Sequence, residues 1–193
     1  MIKRDKYNID YLVKLSETIG YIDRTPIKKY IEILIRTLNR GKSIYIFGNG
    51  GSATTASHIT CDLNKTASYG FSKRFRAICL NDNIATIMAY ANDFEEGFDS
   101  VFKELLKNFL KKGDIAIGIS GSGNSENIVR AISYAKEQGN FTIGFCGFDG
   151  GWLKKNADLV IYIPINDMQI TEDLHLAINH MAIQSLTKYY GEH

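Results

Sequence analysis

SIYIFGNGGSATTASHITCDLNK, the segment from Ser43 to Lys65, reads as a strand, a turn and a helix in immediate succession. Ser43–Phe47 is a short apolar run of the kind that forms a buried strand. Gly48-Asn49-Gly50-Gly51 interrupts it, and a helix is expected to open at Ser52. Glycines let the backbone approach a ligand closely, and the first N–H groups of a helix lack intrahelical acceptors. Such a turn suits an anion. It is not a P-loop, because no Gly-Lys-Ser/Thr follows. A dinucleotide fingerprint would place its third glycine at Ala53, a position that alanine can also fill. A phosphate cradle, a nucleotide turn and a tight turn without ligand all remain open at this point. Further along the helix, His58 and Asp62 are four residues apart and so share a face.

Outward from this segment, apolar runs and helical stretches alternate. Strands are expected at Ser43–Phe47, Phe75–Leu80, Asp114–Ser120, Phe141–Phe145 and Asp158–Pro164. Helices are expected at Ala53–Leu63, Ile84–Tyr90, Phe94–Lys111, Asn124–Gln138, Gly151–Asn156 and Glu172–Tyr190. Continuous apolar strands alternating with helices predict an α/β fold. The sheet should be doubly wound, flavodoxin-like, five-stranded and parallel, with helices on both faces. Ligands in such sheets bind at the carboxyl ends of the strands.

Ahead of the first strand, residues 5 to about 40 read as two extra helices. One carries Tyr7, Tyr11, Leu15, Thr18 and Ile22 as a stripe; the other carries Tyr30, Ile31, Leu34, Ile35 and Leu38. Pro26 suits the first turn of the second helix, with Thr25 or Asp23 as its cap. Their apolar faces need cover, and packing against another copy of the chain is one way to obtain it.

The chain has 193 residues, 45% of them hydrophobic and 23% charged, which suits one soluble globular domain spanning 1–193. Its net charge of +2, with lysines and arginines scattered, excludes a clustered nucleic-acid face. No apolar run approaches membrane-spanning length, and MIKRDKYNIDYLVKL has no apolar signal core. The expectation is a cytoplasmic protein with no nucleic-acid or membrane partner. Cys61, Cys79 and Cys146 are far apart and odd in number, so free thiols are expected.

A second loop repeats the logic of the first. The third strand runs into Ser120-Gly121-Ser122-Gly123-Asn124-Ser125, and a helix follows. Ser120, Ser122 and Ser125 can donate to phosphate oxygens beside the N–H groups of the helix start. No lysine or arginine stands in the loop, which suits a phosphomonoester held by neutral donors. Ordinary turn and cap serines are the alternative.

The two loops, taken with His58, the Asn92-Asp93 pair and Thr171-Glu172-Asp173-Leu174-His175 followed by His180, resemble the sugar isomerase (SIS) family, and within it the phosphoheptose isomerases. That resemblance covers nearly the whole chain. It implies conversion of sedoheptulose 7-phosphate to D-glycero-D-manno-heptose 7-phosphate, for lipopolysaccharide or capsule heptose. It implies phosphate binding by Ser52, Ser120, Ser122 and Ser125, and substrate contact by Asn49, Gly50, Gly51, Asn92, Asp93, Gly121 and Glu172. Asp62 takes the place of a catalytic glutamate base, and His180 that of its partner acid. Zinc, bound in some members, would be held at His58, Asp62, Glu172 and His180. A homotetramer with sites between subunits, assembled through residues 1–40, is implied as well. Four positions depart from the family pattern: Asp62 for glutamate, Glu172 for glutamine, Gly121 for threonine and Gln169 for aspartate. A different class of SIS protein only senses a phosphosugar, or helps a replication initiator assemble. Such proteins keep the serines but need no base.

The chemistry asks for little more. Aldose–ketose isomerisation moves one proton between adjacent carbons and one between their oxygens. Asp62 and His180 supply a carboxylate and an imidazole for those transfers. On one straight helix, however, Glu172 and His180 would lie roughly 12 Å apart at 1.5 Å per residue.

Overall fold

The computed structural model describes residues 10–191. Residue 5, where the first helix is expected to begin, and Tyr7 of its stripe lie outside the described residues. Helix α1 spans Tyr11–Gly20 and α2 spans Thr25–Asn39. Asp23 Oδ1 accepts from the Thr25 N–H at 2.8 Å, and Pro26 sits in the first turn, where its missing N–H costs nothing.

Five strands follow: β1 (Ser43–Gly48), β2 (Arg76–Cys79), β3 (Ile115–Ile119), β4 (Phe141–Cys146) and β5 (Leu159–Tyr162). All pair in parallel, in the order β2-β1-β3-β4-β5. That is the doubly wound, flavodoxin-like order, whose switch point lies between β1 and β3. The expected strands are correct in number and place and run one or two residues long at some ends. The inner strands β1 and β3 are buried at every residue, whereas the edges β2 and β5 alternate.

Side-chain alternation divides the core into two layers. Ile44, Ile46, Ile117, Ile143 and Phe145 face one side, against α2, α3 (Gly51–Cys61) and α8 (Met168–Gly191). Tyr45, Phe47 and Ala116 face the other, against α5 (Gly97–Phe109), α6 (Glu126–Glu137) and Leu153 of α7 (Gly151–Asn156). Helix α4 (Ile84–Asp93) has no buried residue, though Ile87 and Tyr90 pack against the second layer. It leaves Ile84 and Met88 exposed, and Phe94 just beyond it is exposed too. Among the described residues, no helix is long and apolar enough to cross a membrane.

Several helix ends depart from expectation; α4, for one, runs on to Asp93, and α5 opens only at Gly97. The last helix starts at Met168, not Glu172, because Asp167 caps it: Oδ1 accepts from the Ile170 N–H at 3.2 Å and the carbonyl from Thr171 at 3.1 Å. Thr171 and Glu172 therefore sit inside the helix. Helix α3 runs from Gly51 rather than Ala53, and its α geometry stops at Cys61. One π turn, Asp62–Thr66, follows, closed by the Ala67 N–H on the Asp62 carbonyl at 2.9 Å. The wider turn aims Asn64 at β2, where its amide pairs with both backbone groups of Ala77, at 2.8 and 3.0 Å.

Candidate active site

At the carboxyl end of β1 the chain turns so tightly that a Cβ on Gly48 would lie 2.6 Å from the Ser52 carbonyl oxygen. Gly50 adopts φ +53° and ψ −124°, a conformation open in practice only to glycine. The Asn81 side chain holds Gly48 on both sides, accepting from its N–H at 3.2 Å and donating to its carbonyl at 2.9 Å. The start of α3 is thereby fixed at the switch point, with the Ala53 N–H already donated to the Asn49 and Gly50 carbonyls. Ser52 is buried there.

The second loop lies alongside, since Gly48 and Ile119 are register partners. Asn49 and Asn127 exchange two amide hydrogen bonds of 2.9 Å, tying the glycine turn to the helix that follows the serines. Within the serine loop, the Ser120 and Ser125 hydroxyls lie 3.0 Å apart. Ser122 Oγ accepts from the Asn124 N–H at 3.2 Å. The Ser120 N–H donates to the Phe145 carbonyl at 3.0 Å, which anchors the loop on β4. At Gly121 the Met168 thioether lies where a Cβ would stand, so a side chain there would require the methionine to swing aside. The loops thus offer hydroxyls, amides and two helix starts, but no cationic side chain.

The titratable groups converge where α3 and the π turn meet α8. His58 and His180 point their Nε2 atoms at each other across 3.1 Å. One ring must donate and the other accept. Asp62 Oδ2 lies 3.5 Å from His58 Nε2 and 3.8 Å from His180 Nε2. The two rings are about half exposed, at 45% and 48%, while the carboxylate is only 15% exposed. A substrate can therefore reach the imidazoles from solvent and find the carboxylate behind them. The three ligand atoms lie within 4.8 Å of one another. Two imidazole nitrogens and a carboxylate oxygen are a donor set that divalent ions such as zinc accept.

Other expected residues lie elsewhere. Glu172 does not join the three, because eight residues of α8 separate it from His180. Its carboxylate instead packs on Gly51, in the space a Cβ would need. Burial raises its pKa, and the neighbouring Asp173 adds to the effect. Asn92 and Asp93 are exposed at the end of α4 and hydrogen-bond to each other at 2.9 Å. Nothing in the described contacts brings them to the cluster. Conversely, Asn127 and Asn179 escape a reading by sequence alone. Asn127 stands two residues past Ser125. Asn179 is a polar residue on the apolar, inward face of α8, the one signal that marks it. His175, on that face too, is fully buried, and burial lowers its pKa to about 4.

The SIS domain model matches residues 9–147. Phosphoheptose isomerase from Aliarcobacter butzleri is 36% identical over 173 residues, covering 88% of this chain and 89% of that protein. Its counterpart from Geotalea daltonii is 33% identical, with coverage of 100% and 99%. The solved structure of phosphoheptose isomerase GmhA from Neisseria gonorrhoeae superposes with a TM-score of 0.82 at 26% identity, covering 91% of this chain and 92% of that one. The chain belongs to the SIS domain family, in its phosphoheptose isomerase branch.

Proposed function

We propose that this protein is an aldose–ketose isomerase that interconverts sedoheptulose 7-phosphate and D-glycero-D-manno-heptose 7-phosphate through an enediol, supplying heptose for lipopolysaccharide or capsule. The meeting of His58, Asp62 and His180 beside two phosphate-type loops carries the reading. A pure phosphosugar sensor needs the loops and has no use for the cluster.

The roles follow from position. Ser52, Ser120, Ser122 and Ser125, with the starts of α3 and α6, hold the phosphate by hydroxyls and backbone N–H groups. Asn49, Gly50 and Gly51 shape the adjoining wall. Asp62 takes the proton from the carbon beside the carbonyl and returns it to the neighbouring carbon. Its Oδ2 faces the imidazoles, and its Oδ1, met by the Thr66 hydroxyl at 3.5 Å, keeps free lone pairs for that transfer. His180, half exposed, exchanges the proton between the two sugar oxygens, and His58 supports it across the 3.1 Å contact. A divalent ion such as zinc, held by His58, Asp62 and His180, would polarise the carbonyl oxygen in place of proton transfer at the His180 Nε2. We assign Glu172 to the glycine turn, against Gly51. The exposed faces of α1 and α4 suit a homo-oligomer, a tetramer with sites between subunits, in the cytoplasm.

The test is incubation with sedoheptulose 7-phosphate in deuterated water, with and without a chelator, followed by NMR. The aldose product and deuterium at its second carbon are expected. A sugar that binds but exchanges no carbon-bound proton would identify a sensor instead. Full activity in the presence of chelator would remove the metal from the proposal.

A further inference from the structure

Asp62 has one more partner, and it comes from the core side. Asn179 Nδ2 donates to Asp62 Oδ2 at 2.9 Å. Asn179 is fully buried, next in sequence to His180, on the helix face opposite solvent. Its own Oδ1 has no hydrogen-bond partner. A buried amide with one unpaired oxygen is a poor choice for stability alone, since an apolar side chain of similar size avoids the desolvation cost. The amide meets the carboxylate that stands one methylene short of the glutamate the family pattern leads one to expect. We propose that Asn179 is a positioning residue: it fixes the Asp62 carboxylate against the two imidazoles and so compensates for the shorter side chain. This rests on the isomerase reading for its kinetic consequence, but the placement of Asp62 is independent of it.

The geometry gives this a specific form. Consecutive residues on a helix point about 100° apart, so Asn179 and His180 reach Asp62 from two sides of one helix. A shift of α8 moves both together, which keeps the carboxylate in register with the histidine it works beside. Without Asn179, the described partners of Asp62 are the Thr66 hydroxyl at 3.5 Å and the two imidazoles at 3.5 and 3.8 Å, all looser than the 2.9 Å bond from the amide.

The experiment compares the parent with Asn179→Leu, Asp62→Glu and the double variant. In Asn179→Leu, kcat on sedoheptulose 7-phosphate is expected to fall about 10- to 100-fold with KM nearly unchanged, and zinc affinity to weaken over a similar range. The thermal midpoint should hold or rise, because leucine needs no partner. Adding Asp62→Glu to Asn179→Leu should recover much of the loss, a coupling that a double-mutant cycle reads directly. In a crystal structure of Asn179→Leu, the Asp62 carboxylate should leave its place beside His58 and His180. Asn179→Ala serves the same comparison if leucine does not pack. Unchanged kcat and zinc affinity, or an Asp62 carboxylate that stays in place, would overturn the proposal. So would a loss confined to the thermal midpoint. If the parent itself fails to isomerise the sugar, the functional reading falls, while zinc affinity and the position of Asp62 still decide the role of Asn179.

Discussion

Ser120 meets Ser125 across five residues of sequence, whereas Asp62 meets Asn179 across 117 and His58 meets His180 across 122. The serine loop is wired to itself and to the strand beside it. The titratable cluster exists only when α3 and α8 have packed. A local loop can hold its shape through small shifts of the helices; a cluster assembled between two helices cannot. Binding and chemistry should therefore fail separately.

The largest effect should fall on the cluster. Asp62→Ala and His180→Ala are each expected to lower turnover by at least ~100-fold, the low end for a lost acid/base group. Affinity for the phosphorylated sugar, measured by calorimetry, should change little. Ser120→Ala and Ser125→Ala should show the reverse. Each should weaken binding by about 1.5–3 kcal/mol, the range for hydrogen bonds to a charged group, with bound substrate still turned over. Equal losses of binding in both sets would erase the distinction. Between them stands Asn127→Ala, which cuts the amide pair tying the two loops. The loss of both hydrogen bonds should cost about 1–3 kcal/mol of stability, at about 0.5–1.5 kcal/mol each, and is read from a urea midpoint.

The smallest effect on chemistry is expected at His175. Burial holds its pKa near 4, below the ordinary 6.5, while the Cys146 carbonyl accepting from the ring pulls the other way. Between those values the unfolded chain takes up a proton that the folded chain refuses. The stability tied to this neutral ring is therefore present above pH 6.5 and is lost as pH falls from there toward about 4. Urea midpoints followed from pH 7 to 4 should decline more steeply for the parent than for His175→Leu. Identical slopes would remove His175 from the account.

How much of this was legible follows the same divide. Strands β1, β3 and β4 are continuous apolar runs, and both glycine-serine turns sit at strand ends, so the fold and the place of the two loops could be read locally. The pairing of His58 with Asp62 follows from helical spacing. That His180 meets them, and that Glu172 does not, depends on where α8 begins and how it crosses α3. Two caps compete four residues apart there. Thr171-Glu172-Asp173 has the look of a helix start, but Asp167 wins because its side chain reaches the Ile170 N–H. The π turn at Asp62 was equally hidden. It brings Asn64 to Ala77, a pairing with no trace in the spacing of Ser43–Lys65.

That bond also bears on solubility. Strand β2 is an edge of the sheet, and an open edge is a template on which another chain can polymerise. Asn64 spends its whole amide on Ala77, the middle of a four-residue strand, and so presents to a passing strand a side chain in place of a free donor and acceptor. The extra residue that widens α3 thus serves two ends at once: it shapes the turn that carries Asp62, and it covers an open edge along which another chain could add to the sheet.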